Sequence, residues 1–164
     1  MKKFLSSLFI LTLLCFSCLP CWAFVAGTAL YGSTEGRVNR IRIPLTATAT
    51  GGTPNFTSYA LSPTAYTNIQ LKYGITGWYL YEVEIDPGTT GPTNGAWDLD
   101  ITDANGYVIS TTSLDNLSST ATDIYRWAES STGYPQIWGT WTISIGDNAV
   151  NNASVTVYLT FVSN

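Results

Sequence analysis

The chain has 164 residues, seven basic and eleven acidic side chains, a formal charge of −4 and no histidine. The missing imidazole excludes Ser-His-Asp and Cys-His machinery and the usual zinc ligand sets. An acidic chain with so few cations is a poor partner for nucleic acid or an anionic membrane, and neither a Walker-type phosphate loop nor a dinucleotide fingerprint occurs.

Lys2 and Lys3 precede an apolar run from Phe4 to Leu19, the pattern of a secretory signal peptide too short for a membrane span of about 20 residues. Small residues at Cys21 and Ala23 place the expected cleavage after Ala23. All three cysteines (Cys15, Cys18 and Cys21) precede that cut, so the mature chain, residues 24–164, has no disulfide or thiolate chemistry. It keeps five basic residues, Arg37, Arg40, Arg42, Lys72 and Arg126, against all eleven acids, a formal charge of −6. The expected location is secreted, periplasmic or cell-surface, with no stable membrane insertion once the leader is removed. About 140 residues make one domain large enough to bury a core.

Residues 24–36 form either an edge strand or an N-terminal arm. Val38 to Thr48 is a long strand with Ile41, Ile43, Leu45 and Ala47 on one face and Arg40 and Arg42 on the other. Pro44 has no N–H to donate, which predicts an edge position or a bulge there. Thr50 to Thr64 is a loop or an irregular short strand, broken by glycine and proline, and Ile69 and Leu71 mark a modest strand over residues 67–73. Gly77 to Ile85 is a strong strand. Strict alternation puts Tyr79, Tyr81, Val83 and Ile85 on one face, and on the other Trp78, Leu80, Glu82 and Glu84, a face that begins apolar and ends charged.

Asp86 to Asn94 connects to a predicted hairpin, in which Trp97, Leu99 and Ile101 alternate with Asp98, Asp100 and Thr102. Asp103-Ala104-Asn105-Gly106 supplies the turn, and Tyr107-Val108-Ile109 starts the return strand. Ser113 to Gln136 is the longest polar stretch and the expected functional loop, with helical turns near residues 121–127. Ile137 to Ile145 and Ala153 to Phe161 alternate again, and the loop between them predicts a C-terminal hairpin. The fold class expected is all-β: a single antiparallel β-sandwich, jelly-roll or immunoglobulin-like, with about seven to nine strands.

Candidate chemistry is sparse. Glu82 with Glu84, and Asp98 with Asp100, place two carboxylates about 7 Å apart on one strand face, a spacing open to glycoside hydrolysis and equally produced by any solvated strand. Asp98, Asp100, Asp103 and Asn105 are candidate oxygen ligands for calcium, with Asp147 and Asn148 as a possible second contribution, although D-x-D-x-x-D-x-N is not an EF-hand spacing. Trp127, Tyr134 and Trp138 lie in or beside the polar loop, out of phase with the core. Such aromatics stack on sugars, anchor protein interfaces, or form a satellite cluster beneath the loop.

The strand Leu99 to Thr102 with its Asp103–Gly106 turn comes first, followed by the polar loop. A strand entered through Gly139 (Gly139-Thr140-Trp141-Thr142-Ile143-Ser144-Ile145) and the final strand Ala153 to Phe161 complete an order that resembles small virion-associated β-sandwich proteins of phages and prophages. The last two strands also look like the end of jelly-roll modules appended to secreted proteases. Both resemblances imply a non-catalytic sandwich with no active site to carry over. The first functional reading is therefore a secreted structural or interaction module, not an enzyme, that associates with a protein partner or with itself. A glycan-binding module using Trp127, Tyr134 and Trp138, with polysaccharide as partner, is the alternative, and a carboxylate hydrolase comes last.

Overall fold

The computed structural model describes residues 24–34, 37–67, 71, 73–110, 112–127 and 133–163. The predicted leader, Ile69 of the predicted 67–73 strand and Lys72 lie outside them. The molecule is nearly all β, two antiparallel sheets with nine strands among the described residues. These are β1 (Val25–Ala26), β2 (Leu30–Thr34), β3 (Arg37–Thr48), β4 (Tyr59–Leu61), β5 (Tyr79–Pro87), β6 (Asp98–Thr102), β7 (Asp123–Arg126), β8 (Trp141–Gly146) and β9 (Ser154–Val162). One sheet runs β1-β3-β9-β5-β7, with β2 also on β3, and the other runs β4-β8-β6. The prediction of an all-β sandwich of seven to nine strands holds.

The alternating residues of β3 and β9 explain the larger sheet. Ile41, Ile43, Leu45 and Ala47 are buried beside Val155, Val157, Leu159 and Phe161, in a register that pairs Ile43 with Leu159. The smaller sheet brings Leu61, Leu99, Ile101, Trp141 and Ile143 to the same core, where Trp141 packs on Phe161 with ring centroids 5.8 Å apart. Each fully buried aliphatic side chain contributes about 1.5–3 kcal/mol. On the outer face of the larger sheet, Arg42 bonds Glu84 and Arg126 bonds Glu82, each at 2.7 Å. Partly exposed pairs of this kind contribute about 0–1 kcal/mol. The buried stack, rather than the ion pairs, holds the fold.

From β3 onward, consecutive strands never share a sheet. This corrects the predicted C-terminal hairpin: β8 pairs with β4 and β6, whereas β9 lies between β3 and β5. Two neighbouring amphipathic strands fit a hairpin or two facing sheets equally well. The loop between these two is long enough to cross sheets that pack about 10 Å apart.

Pro44 sits on an interior strand, not an edge. In an antiparallel ladder a residue's N–H and C=O point to the same neighbour, and the Pro44 carbonyl accepts from the Gly27 N–H at 2.8 Å. Its donor-less nitrogen therefore faces the outer neighbour, where the break between β1 and β2 lies, and the β9 register runs past it without a shift. Residues 24–34 are thus edge strands paired to β3, with Phe24 buried against Tyr59 of the other sheet at a ring distance of 6.2 Å. Tyr59 in turn bonds the Tyr66 hydroxyl at 3.1 Å. Burial and that bond push the Tyr66 phenol well above its ordinary pKa.

Three further local expectations change. The register of β5 on β9 shifts between Leu80 and Glu82, a bulge that turns Trp78, Leu80, Val83 and Ile85 inward and leaves Tyr79, Tyr81 and Glu84 half-buried on the outer side. The expected helical turns near residues 121–127 are instead β7, whose Asp123–Arg126 backbone pairs with Glu82–Ile85 of β5. The Asp103–Gly106 turn forms as predicted, with Gly106 at φ +87. Its return strand reduces to one bridge, Thr102 with Val108, because Tyr107 and Val108 are exposed and meet no core.

Candidate functional site

Residues 134–138 run antiparallel beside the start of β5, on the edge that β7 covers farther along. Leu80 N–H donates to the Pro135 carbonyl at 2.8 Å, Ile137 N–H to Trp78 at 2.9 Å, and Tyr79 bridges Gln136. In this register Ile137 and Trp78 are buried together, and the alternate residues, Tyr134, Gln136 and Trp138, face away. Tyr134, 40 % exposed, stacks on Tyr81 at 6.0 Å and meets Tyr79 edge-on at 6.3 Å. Trp138, 68 % exposed, lies over Gly77, where a Cβ would stand 3.2 Å from the indole, and its Nε1–H donates to Gln136 Oε1 at 3.3 Å.

The third predicted aromatic, Trp127, is only 2 % exposed and packs edge-on against Tyr125 with centroids 4.6 Å apart. Its place at the end of β7 turns it inward, so it offers no open face for stacking. Trp127 and Tyr134 nevertheless line one cleft of about 340 Å³, together with residues 108–110, Gly133 and Pro135. Trp138 is not among the lining residues. The structure therefore brings two of the three together and leaves the third on the outer face.

Comparison with protein-family models, with curated proteins and with solved structures finds no match. What the site can do rests on its own geometry.

The acids expected as calcium ligands have separate tasks. Asp98 Oδ1 accepts the Asn116 N–H at 2.7 Å, and Asp100 Oδ1 accepts the Ser110 hydroxyl at 3.3 Å. Asp103 Oδ1 accepts the N–H groups of Asn105 at 2.8 Å and Tyr107 at 2.9 Å, closing the turn. Asn148 ties loops through five hydrogen bonds, to the N–H and hydroxyl of Thr93, the Pro54 carbonyl and both backbone groups of Val150. Among the described residues no three of His, Cys, Asp or Glu gather closely enough to hold a metal ion. Glu82 and Glu84 each meet an arginine, so the strand carboxylates are engaged across the sheet. No helix among the described residues is long and apolar enough to cross a membrane.

Sequence reasoning missed Tyr79 and Tyr81 as neighbours of the site because alternation assigned them to the face of Val83 and Ile85. The signal was present in Tyr81-Glu82, two outward-type residues in succession, which breaks a period of two and marks a bulge.

The Tyr107 N–H, with that of Asn105, holds the Asp103 carboxyl below its ordinary pKa. A depressed folded-state pKa stabilises the turn above the ordinary carboxyl range and loses that contribution as pH falls through the lower, folded value. The Asn105 and Tyr107 amide resonances are therefore expected to shift as pH drops below about 4, and Asp103→Ala should abolish that pH response while the core amides stay protected.

Proposed function

We propose that this chain is an exported, non-catalytic β-sandwich that acts as a structural or interaction module and associates with copies of itself along the β1–β2 edge of the larger sheet. The observation that supports this reading is the edge itself. β1 and β2 end the sheet, and Val25 and Leu30 on them are 60 % and 63 % exposed. A sheet edge presents unpaired backbone groups that template another strand, and proteins that stay monomeric blunt it with charge or proline. Neither occurs within residues 25–34.

Sedimentation velocity of the mature protein is the test. The wild type is expected to associate with rising concentration. Leu30→Lys, an exposed substitution that charges the edge, should sediment as a monomer at the same concentrations with an unchanged unfolding midpoint. A wild-type protein that stays strictly monomeric to millimolar concentration ends the reading.

A further inference from the structure

The cleft beside Tyr134 lies away from the β1–β2 edge and is independent of the assembly proposed above. It opens where the two sheets approach on the β6–β7 side, between the segment that follows β6 and the one that joins β5 beside β7. At about 340 Å³ it is at the small end of ligand clefts, which run from roughly 300 to 1,000 Å³. That is room for one ring-sized molecule.

We infer that this cleft takes a single neutral pyranose ring. Among the described residues its lining is amphiphilic and carries no ionised side chain: Trp127 and Tyr134 are aromatic, Val108, Ile109 and Pro135 apolar, and Ser110 hydroxylic. A pyranose matches this arrangement. Its C–H face carries partial positive charge and packs on the negative face of an aromatic ring, while its hydroxyls need hydrogen-bonding partners around the rim. Tyr134 supplies the stacking face and is preorganised because Tyr81 backs it, while the buried Trp127 lines the cleft without an open face of its own. Ser110 is preorganised as well. Its hydroxyl proton goes to Asp100 Oδ1, which leaves the oxygen's lone pairs to accept from a sugar hydroxyl. An anionic sugar is disfavoured for two reasons. No cation among the described residues lines the cleft to pair with a carboxylate, and the mature chain's formal charge of −6 repels anions at long range.

The test is a chemical-shift titration of the mature protein with methyl β-D-glucopyranoside, methyl α-D-mannopyranoside and N-acetylglucosamine, with glucuronate and indole as controls. At least one neutral sugar is expected to bind with a dissociation constant on the order of a millimolar, as suits so small a ligand, shifting the amides of residues 108–110 and 133–135. Tyr134→Ala should weaken it about tenfold or more, and Ser110→Ala several-fold, with both variants folded by their core amide shifts. Trp138→Ala, exposed and outside the lining, should leave affinity within about twofold.

The inference is overturned if no neutral sugar shifts these amides. It is equally overturned if glucuronate or indole binds as tightly, or if Trp138→Ala costs as much as Tyr134→Ala. Should Tyr134→Ala fail to fold, Ser110→Ala and the map of shifted amides decide the matter by the same criteria.

Discussion

Trp97→Ala is expected to destabilise the domain by about 3–5 kcal/mol, the range for a fully buried large aromatic cut to a methyl. Trp97 has no exposed surface, and its Nε1–H donates to the Ser118 carbonyl at 3.1 Å. Its backbone carbonyl also accepts the Leu117 N–H at 2.9 Å, and Leu117 in turn accepts from Gly95 at 3.0 Å. The residue therefore fills the core and pins the 112–119 segment to the strand entering β6. Against a total stability of about 5–15 kcal/mol, such a loss leaves a marginal protein. Trp97→Phe separates the two contributions: it keeps most of the ring volume and loses the bond to Ser118, for an expected cost of about 1–3 kcal/mol. Denaturant unfolding of both variants provides the measurement. A loss below about 1 kcal/mol for Trp97→Ala would mean that the side chain does not sit at the centre of the packing.

How much of this was legible in the chain depends on how local the determining physics is. The long strands β3 and β9 were readable because burial on one face writes a period of two into many consecutive residues. The Asp103–Gly106 turn was readable because its side-chain and φ requirements fall within four residues. β7 was not: Asp-Ile-Tyr-Arg leaves Ile124 exposed and Tyr125 half-buried, and only the edge of β5 makes it a strand. A pairing partner some 40 residues away leaves no local mark.

The site divides in the same way. Tyr134 and Trp138 were identifiable as aromatics out of phase with the core, and both are exposed. Trp127 looked identical in sequence, yet the end of β7 turns it inward against Tyr125. The cleft joins residues 108–110, Trp127 and residues 133–135 from three separate segments, a coincidence of the fold that no window of sequence contains. The acids divide as well. Their spacing suggested shared work as oxygen ligands, but each engages a different partner: Asp98 the Asn116 N–H, Asp100 the Ser110 hydroxyl and Asp103 the amides of its own turn.

Asn148→Asp, nearly isosteric, is expected to cost about 2–4 kcal/mol at neutral pH through hydrogen-bond polarity alone. Asn148 is half-buried and uses both ends of its amide. Oδ1 accepts the N–H groups of Thr93 at 3.1 Å and Val150 at 3.0 Å, and Nδ2 donates to the carbonyls of Pro54 at 2.7 Å and Val150 at 2.9 Å. A carboxylate keeps the first pair and turns the second into two contacts between acceptors. Because protonation restores one donor, the introduced carboxyl should have a folded-state pKa above its unfolded one. Stability of the variant relative to wild type should then be greatest at low pH and fall as pH rises through the folded value. Asn148→Ala removes all of these bonds without adding repulsion. It should cost about 1–3 kcal/mol with no such pH dependence. Unfolding free energies of the three proteins between about pH 3 and 8 test this, and a variant pair with equal, pH-independent losses would show that the loops around Pro54, Thr93 and Val150 are held by packing instead of by this amide.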